Sequence, residues 1–278
     1  MPKSNISAYL VVYNEGEKIE ACLKSLRDVV NEIIVVHDGP CTDDTLMICA
    51  KYECKIFTRE RLGNAEPHRP FAIAQSNYDW VLQIDADERL SEGLRSALGE
   101  LTNDPEVDAY TFRWVTDING TKSNWLVKRI LFRKSKMYAV GFPHIQAETR
   151  GSEKDLSLEL LHDTKEYNSP TQLLKKYLRK DKEWGRVSAS ILNGPLSAIP
   201  TYNCVFPSKD TKESGRLLLI KHHPLLSILS IPLYGLLYGY IIKGSFTHGY
   251  VGFVLSCHTP LHSFYTCLFL LKRKFPWL

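Results

Sequence analysis

Two aspartates separated by one residue follow an apolar run in the segment WVLQIDADERLS, residues 80–91. Because side chains alternate along an extended strand, the carboxylates of Asp85 and Asp87 lie on one side of the strand end and can converge on a cation. Mg²⁺ and Mn²⁺ take one or two protein carboxylates and fill their other positions with water and phosphate oxygens. The spacing therefore predicts a site for a metal-bound nucleotide. The alternative is a solvated acidic turn before a helix that starts at Ser91.

Polar residues also end two earlier apolar runs. Asn14 and Glu15 follow the first run, and the segment HDGPCTDDT at 37–45 places Asp38 directly after the run EIIVVH. A carboxylate at this position can accept a hydrogen bond from the imide N–H of a uracil-like base, and Gly39 lets the backbone approach closely. Both corners are candidates for nucleotide recognition.

The elements that must hold these residues alternate between strands and helices. The strand-like runs are 6–13, 32–37, 55–58 and 80–84, and the helix-like segments include 17–27 and 67–75. This alternation predicts an α/β fold with a mostly parallel sheet, right-handed crossovers and flanking helices. In such sheets ligands bind at the carboxyl ends of the strands, which is where the polar residues stand.

The order of these motifs resembles that of the inverting family 2 glycosyltransferases of the GT-A fold. The shared order is strand, Asn-Glu, helix, strand, Asp-Gly-x-x-x-Asp-x-Thr, and then a strand ending in Asp-x-Asp, and the similarity covers roughly residues 5–180. The variant Asp-Ala-Asp-Glu, preceded by Asp79-Trp80, is most similar to the lipopolysaccharide-core glucosyltransferases. The resemblance implies a nucleotide-sugar donor and a divalent metal, Mg²⁺ or Mn²⁺.

The resemblance also implies roles for individual residues. Tyr13 and Glu15 match positions near the base and ribose of the donor, Asp38 the position that reads uracil, Asp85 a ribose-side carboxylate and Asp87 the metal ligand. His162, after the strand LSLELLH, matches a histidine that completes the metal shell. Arg69 stands where the family often has a basic residue followed by Asn. Pro70 replaces that Asn here, and a solvated helix charge is an equal alternative for Arg69.

The catalytic base is expected in the segment KRILFRKSKMYAVGFPHIQAE. Relatives often carry His and Glu together, whereas this chain has His144 and then, four residues later, Glu148. Inversion requires one carboxylate within reach of the acceptor hydroxyl. We predict Glu148 as this base, with Asp163 or Glu88 as substitutes. For Glu148 a surface charge is the alternative, and His144 either orients the base or fills the core.

The composition is that of a folded protein, and its charge is unevenly distributed. The net charge is +4, but residues 211–278 carry seven Lys or Arg against one acidic residue, so that stretch is +6 and residues 1–210 are −2. The basic part is also the most apolar part, which favours a membrane surface over nucleic acid as its partner. The seven cysteines form no CxxC pair, which indicates a reducing compartment.

The C-terminal part contains two long segments without charged residues, 224–242 and 244–271. Their prolines, glycines, tyrosines and histidines favour helices that lie in the membrane interface, while a two-span hairpin and a buried helical pair are alternatives. We therefore predict a catalytic domain at 1–184, a linker at 185–222 and a membrane-associating region at 223–278.

These features predict a hexosyltransferase at the cytoplasmic face of a membrane. It would transfer a hexose from a nucleotide sugar, such as UDP-glucose, to a glycan or lipid-linked acceptor with inversion, in lipopolysaccharide or cell-surface polysaccharide synthesis. One alternative is a catalytically silent scaffold of a polysaccharide assembly complex. A nucleotidyltransferase ranks last, because VVYNEGEK at 11–18 lacks a glycine-rich basic loop.

Overall fold

A computed structural model of the protein describes residues 5–118, 121–122, 126–162, 170–209, 211 and 214–275. The strands are β1 (Ile6–Val12), β2 (Glu32–Asp38), β3 (Lys55–Arg59), β4 (Trp80–Gln83), β5 (Glu88–Leu90), β6 (Ala109–Ile118), β7 (Thr121–Lys122), β8 (Val127–Arg133), β9 (Met137–Val140), β10 (Glu148–Thr149), β11 (Glu153–His162) and β12 (Thr201–Tyr202). The α-helices are α1 (Ile19–Leu26), α2 (Thr45–Lys51), α3 (Arg69–Ala74), α4 (Glu92–Asn103), α5 (Pro170–Asn193), α6 (Ser214–His222), α7 (Pro224–Leu237) and α8 (Gly249–Lys274).

The main sheet has the strand order β3-β2-β1-β4-β8-β6-β11-β5, and β7 pairs with β6 at its side. Strands β3, β2, β1 and β4 are parallel, as are β6 and β11, whereas β8 and β5 run antiparallel to their neighbours. The chain moves outward from β1 through β2 to β3 and then returns to place β4 on the other side of β1. This reversal opens a crevice between the carboxyl ends of β1 and β4, the usual ligand site of such sheets.

Apolar residues cover both faces of the sheet. In β1, Ile6, Ala8 and Leu10 face one hydrophobic layer and Tyr9 faces the other, so this central strand is buried on both sides. Helix α1 adds a stripe of four buried residues to the first layer: Ile19, Cys22, Leu23 and Leu26. The α/β class with a mostly parallel sheet and flanking helices is confirmed.

A second hydrophobic core joins the C-terminal helices to the part of the chain that carries the main sheet. It combines Val140 at the end of β9 and Phe142 just after it with Leu192 of α5, Ile220 of α6 and Leu270 of α8. Helix α5 runs without a break through position 184 to Asn193, and it packs along α8. At Gly185 the two helices approach so closely that a Cβ would lie 2.6 Å from the Cβ of Tyr265. The division at 184 and at 222 stays a prediction.

Helix α7 continues through a π-helical turn at Tyr238–Ile242. By length and composition, one segment of the described chain, Pro224–Ile242, could cross a membrane, and only 6% of it is buried. Its outward side chains are large and apolar: Leu225, Leu226, Leu229, Leu233, Tyr234, Leu237, Ile241 and Ile242. The C-terminal apolar helix predicted from the sequence is confirmed, and the way it meets a membrane stays a prediction.

Candidate active site at the carboxyl ends of β1, β2 and β4

Two strand-to-helix corners are fastened together beside the crevice. The side-chain amide of Asn14 donates to the Thr42 hydroxyl at 2.7 Å, and the N–H of Gly16 donates to Asp43 Oδ2 at 2.9 Å. The N–H of Glu15 donates to the Thr45 hydroxyl at 2.7 Å. Asp43 and Thr45 of the second motif therefore hold the Asn14-Glu15 turn of the first motif in place.

Asp38 is the buried centre of the neighbouring loop. Its oxygens accept hydrogen bonds from the N–H groups of Leu62 and Gly63 at 2.6 and 3.0 Å, from His68 Nε2 at 2.8 Å and from Arg61 Nη1 at 3.2 Å. Burial opposes ionisation, but the bonds from His68 and Leu62 outweigh it and lower the pKa of Asp38. Four donors fill the acceptor positions of a carboxylate. Reading of uracil by Asp38 stays a prediction, and it requires one of these donors to move.

Tyr13 forms an aromatic surface at the crevice. The guanidinium of Arg61 lies 3.1 Å from the centre of its ring, and the ring of His37 lies 5.8 Å away. Glu15, predicted on the ribose side, stands at the same corner and pairs with Lys18 at 3.5 Å. Burial raises the pKa of Glu15 above its usual value. Both residues therefore lie where the sequence predicts the donor to bind.

Asp85 lies at the end of β4 between two cations. Its Oδ2 is 2.6 Å from Lys128 Nζ and its Oδ1 is 3.6 Å from Arg69 Nη2. Burial opposes ionisation, but Lys128 and Arg69 lower the pKa of Asp85. Arg69 also lies 3.6 Å from Glu66 and its side chain is buried, so the structure shows an internal cation and not a solvated helix charge.

Glu88 is the buried carboxylate that contacts both Asp85 and Lys128. Its Oε1 accepts from Lys128 Nζ at 2.6 Å and from Trp114 Nε1 at 2.7 Å, and its Oε2 accepts the N–H of Asp85 at 2.9 Å. Glu88 is fully buried, and burial raises its pKa. A side chain with these contacts cannot reach an acceptor, so the structure does not support Glu88 as a substitute base.

Asp87 turns away from the two cations and meets His162. The distance between Asp87 Oδ2 and His162 Nε2 is 3.3 Å, and both side chains remain partly exposed. His162 Nδ1 lies 2.8 Å from the Thr116 hydroxyl, and the imidazole packs 4.4 Å from the ring of Trp114. Burial opposes ionisation, but His162 lowers the pKa of Asp87.

This pair fits the divalent metal that the resemblance implies. A hydroxyl both donates and accepts, so Thr116 can hold the tautomer of His162 that leaves Nε2 unprotonated. An oriented imidazole next to a carboxylate is a donor set that suits Mn²⁺, with positions left for phosphates and water. The sequence prediction that Asp87 and His162 act together is consistent with this geometry.

The structure does not bring Glu148 to this cluster. Its Oε2 lies 3.5 Å from Arg129 Nη1. Arg129 follows Lys128 in β8, and consecutive residues of a strand point to opposite faces, so Glu148 lies across the sheet from the carboxylates. Its assignment as base remains a prediction from the sequence. Asp163 lies outside the described residues.

Several residues of the site escaped the sequence analysis, chiefly Lys128, Arg61 and His68. Each meets its partner over more than 20 positions of sequence: Lys128 is 43 residues from Asp85, and His68 is 30 from Asp38. The one available signal was Lys128 itself, a charge next to the apolar run of β8. Three clustered acidic residues at 85–88 require a buried counterion.

Comparisons with known proteins identify the family of the chain. Residues 7–185, more than half of the chain, match the family model described as glycosyl transferase family 2. Over 105 residues the chain is 34% identical to an uncharacterized glycosyltransferase of Rickettsia felis, covering 38% of this chain and 36% of that protein. Over 105 residues it is 33% identical to the lipopolysaccharide core biosynthesis glycosyltransferase LpsC of Rhizobium meliloti, covering 36% of this chain and 38% of that protein.

The matched segments thus span little more than a third of the length of these curated relatives. Among solved structures, S. aureus TarS is similar with a TM-score of 0.46 and 14% identity, over 94% of this chain and 55% of that chain. The extent of the family match identifies the class of protein: the chain belongs to glycosyl transferase family 2. Membership and topology together confirm the GT-A fold predicted from the sequence.

Proposed function

We propose that this chain transfers a hexosyl group from a nucleotide sugar, a UDP-hexose such as UDP-glucose, to a hydroxyl of a glycan or lipid-linked saccharide. The observation that supports this most is the Asp87–His162 pair, 3.3 Å apart beside the crevice between β1 and β4. A carboxylate and an imidazole at this edge suit a metal that binds a diphosphate. Family membership supplies the reaction class.

The reaction is a single displacement with inversion. The acceptor oxygen attacks the anomeric carbon while the bond from that carbon to the diphosphate oxygen breaks, and a carboxylate takes the hydroxyl proton. Asp87 and His162 are the residues that would hold Mg²⁺ or Mn²⁺. When bound, the metal acts as a Lewis acid that neutralises charge on the departing diphosphate. The sequence predicts Glu148 for this role, whereas the structure places it beside Arg129, so the carboxylate that acts as base is not assigned to it here.

Asp85 and Tyr13 are positioned to contact the ribose and the base of the donor nucleotide. Lys128 and Arg69 keep Asp85 ionised and fixed at the crevice, where its partly exposed carboxylate can accept hydrogen bonds from the ribose. Tyr13 offers a ring on which a base can stack, once the guanidinium of Arg61 shifts aside or closes over the base.

The C-terminal helices support a lipid-linked acceptor and a location at the membrane surface. The exposed apolar surface of α7 and the basic end of α8, Lys272 to Lys274, favour attachment to a membrane with anionic lipids. An active site held at the cytoplasmic leaflet meets lipid-linked saccharides. Similarity to LpsC, named for lipopolysaccharide core biosynthesis, supports a role in lipopolysaccharide or cell-surface polysaccharide synthesis.

The Asp87→Asn variant tests the proposal. We expect UDP-hexoses with Mn²⁺ to raise the melting temperature of the wild-type chain, since a ligand stabilises the state that binds it. The variant should lose this stabilisation and about 100-fold or more of the transfer rate. The matched control is Asp28→Asn, because Asp28 lies in the turn before β2, at the opposite end of the sheet, and is 78% exposed.

Three other outcomes decide against the proposal. Unchanged transfer by Asp87→Asn contradicts the metal site. A wild-type chain that no UDP-sugar stabilises with Mn²⁺ favours the silent scaffold. Release of pyrophosphate in place of a nucleoside diphosphate identifies a nucleotidyltransferase.

A further inference from the structure

Three polar side chains converge outside the donor crevice, from three separate parts of the chain. His144 lies in the loop between β9 and β10, Asp181 on α5 and His258 on α8. One ligand atom from each lies within 4.8 Å of the other two. His144 has a φ of 62°, a left-handed conformation that is uncommon outside glycine and that directs this loop residue toward the helices.

These side chains lack hydrogen-bond partners among the residues that the structure describes. The atoms concerned are His144 Nε2, both carboxylate oxygens of Asp181 and His258 Nδ1. Asp181 is fully buried, and His258 Nδ1 contacts its Oδ1 without hydrogen-bond geometry. A buried carboxylate without donors costs several kcal/mol as an order of magnitude, so it requires a cation or a proton.

Aromatic rings border the cluster and limit its contact with bulk water. The ring of Trp184 lies 4.7 Å from that of His144, and the ring of Tyr177 lies 4.9 Å from that of His258. The neighbouring His262 is not part of the cluster, because its Nε2 forms a 2.8 Å hydrogen bond with the Ser188 hydroxyl.

We propose that His144, Asp181 and His258 form a site for Zn²⁺ or a similar first-row transition ion, which cross-links α8 to α5 and to the β9–β10 loop. Two imidazoles and one carboxylate form a donor set that suits zinc and leaves a fourth position for water or another ligand. Mg²⁺, which prefers oxygen, would bind weakly. The site shares no residue with the Asp87–His162 pair and does not depend on the transfer reaction.

Such an ion would fasten the membrane-associating helices to the catalytic part. Helix α8 meets α5 along its length and α7 on its other side, and the apolar core beneath them is shared with Phe142. A metal bond at His258 would hold α8 to α5 and to the β9–β10 loop in addition to this apolar packing. Metal binding should therefore raise the stability of the whole chain.

The test uses the full-length protein in detergent, stripped of metal and then titrated with Zn²⁺ or Co²⁺. We expect one tight site per chain, visible absorption from bound Co²⁺ and a higher melting temperature with Zn²⁺. Asp181→Asn and His258→Gln should each weaken Zn²⁺ binding by at least about 10–100-fold, the cost of losing even an outer partner of a metal ligand. Asp87→Asn removes the donor-site ligand and should keep this site.

His222→Gln is the matched histidine control, because His222 is exposed at the end of α6. Far-UV circular dichroism reports whether each variant folds, and Co²⁺ absorption of the wild-type chain remains decisive if one does not. Absence of a tight site in the wild type, or unchanged Zn²⁺ affinity in a folded Asp181→Asn chain, overturns the proposal. Either result identifies the cluster as a hydrogen-bonded network around a protonated Asp181.

Discussion

Asp38 joins the end of β2 to residues 61–63 and to His68 through one carboxylate, since its partners are Leu62, Gly63, His68 and Arg61. Asp38→Asn replaces an acceptor oxygen by an NH₂ group, which faces a donor and breaks at least one of these bonds. We expect the free energy of unfolding at pH 7 to fall by about 1–3 kcal/mol. Urea denaturation measures it, with the exposed Asp28→Asn as the control.

The stability difference between the wild type and Asp38→Asn should depend on pH. His68 and the N–H of Leu62 outweigh burial and hold the pKa of Asp38 below 3.8. Because the folded pKa is depressed, the ionised group stabilises the fold fully above its unfolded pKa, near about 3.9. That contribution disappears as the pH falls through the folded pKa. The stability difference between wild type and Asp38→Asn should shrink below about pH 4, and a difference that stays constant contradicts this role.

Lys128 is the counterion of two carboxylates, with its Nζ 2.6 Å from both Asp85 and Glu88. Burial opposes its charge, but the two carboxylates outweigh burial and raise the pKa of Lys128. Lys128→Met removes this partner from the buried Glu88 and from the partly exposed Asp85, which we expect to cost about 3–5 kcal/mol of unfolding free energy.

A second substitution separates this effect from lost packing. Adding Glu88→Gln removes one of the two orphaned charges, so the double variant should be more stable than Lys128→Met alone. A double-mutant cycle in urea gives the coupling energy between the two residues. Strictly additive effects would show that the pair does not interact.

The placement of Asp85 and Asp87 together at one strand end could be predicted from the sequence, but the different partners of the two carboxylates could not. The i and i+2 spacing places Asp85 and Asp87 on one side of the strand end, yet they meet different partners: Lys128 and Arg69 for Asp85, and His162 for Asp87. These partners lie 16 to 75 residues away, a separation that no local pattern encodes.

At the level of elements, strand β8 places Lys128 and Arg129 on opposite faces. Lys128 meets the carboxylate cluster, while Arg129 lies 3.5 Å from Glu148 and 2.6 Å from Glu153. This arrangement argues for Glu148 as a structural partner of Arg129. We expect Glu148→Gln to keep kcat within about tenfold of the wild type, against the about 10²–10⁴-fold loss that removal of a general base causes.

Steady-state kinetics with a saturating donor makes this comparison. Glu153→Gln is the matched variant, because Glu153 also pairs with Arg129 and stands on the next strand, β11. Equal, small effects of the two substitutions support a shared structural role. A loss of 100-fold or more for Glu148→Gln alone would restore Glu148 as the base.

Elements near in sequence were predictable, and long-range pairings were not. The spacing of apolar residues along the sequence predicted the bounds of β1, α1, β2 and β3 to within about two residues of those in the structure. Local apolar spacing succeeds here because it reflects which side chains are buried. The placement of β8 between β4 and β6, and of β11 between β6 and β5, depends on pairings far apart in the chain. Helix α5 likewise runs past position 184, since its apolar stripe packs on α8.

At the scale of the whole molecule, the apolar surface of α7 is separate from the second core beneath it. Leu229 and Leu233 are 71% and 59% exposed, whereas Ile220 and Leu270 are buried against Phe142. Deleting residues 211–278 would expose that core as well as the surface, so loss of membrane binding by the truncated chain would report unfolding. Point substitutions on the outer surface avoid this ambiguity.

We therefore expect the double variant Leu229→Asp with Leu233→Asp to stay folded but to lose membrane attachment. Inserting a leucine side chain into lipid stabilises binding by about 1.5–3 kcal/mol, so removing two should weaken vesicle binding by about 100-fold or more. Co-sedimentation with anionic and with zwitterionic vesicles measures this loss and the share due to the basic residues. Met47→Asp on α2, 52% exposed, is the matched control. If the double variant binds vesicles as the wild type does, the outer surface of α7 is not the attachment site.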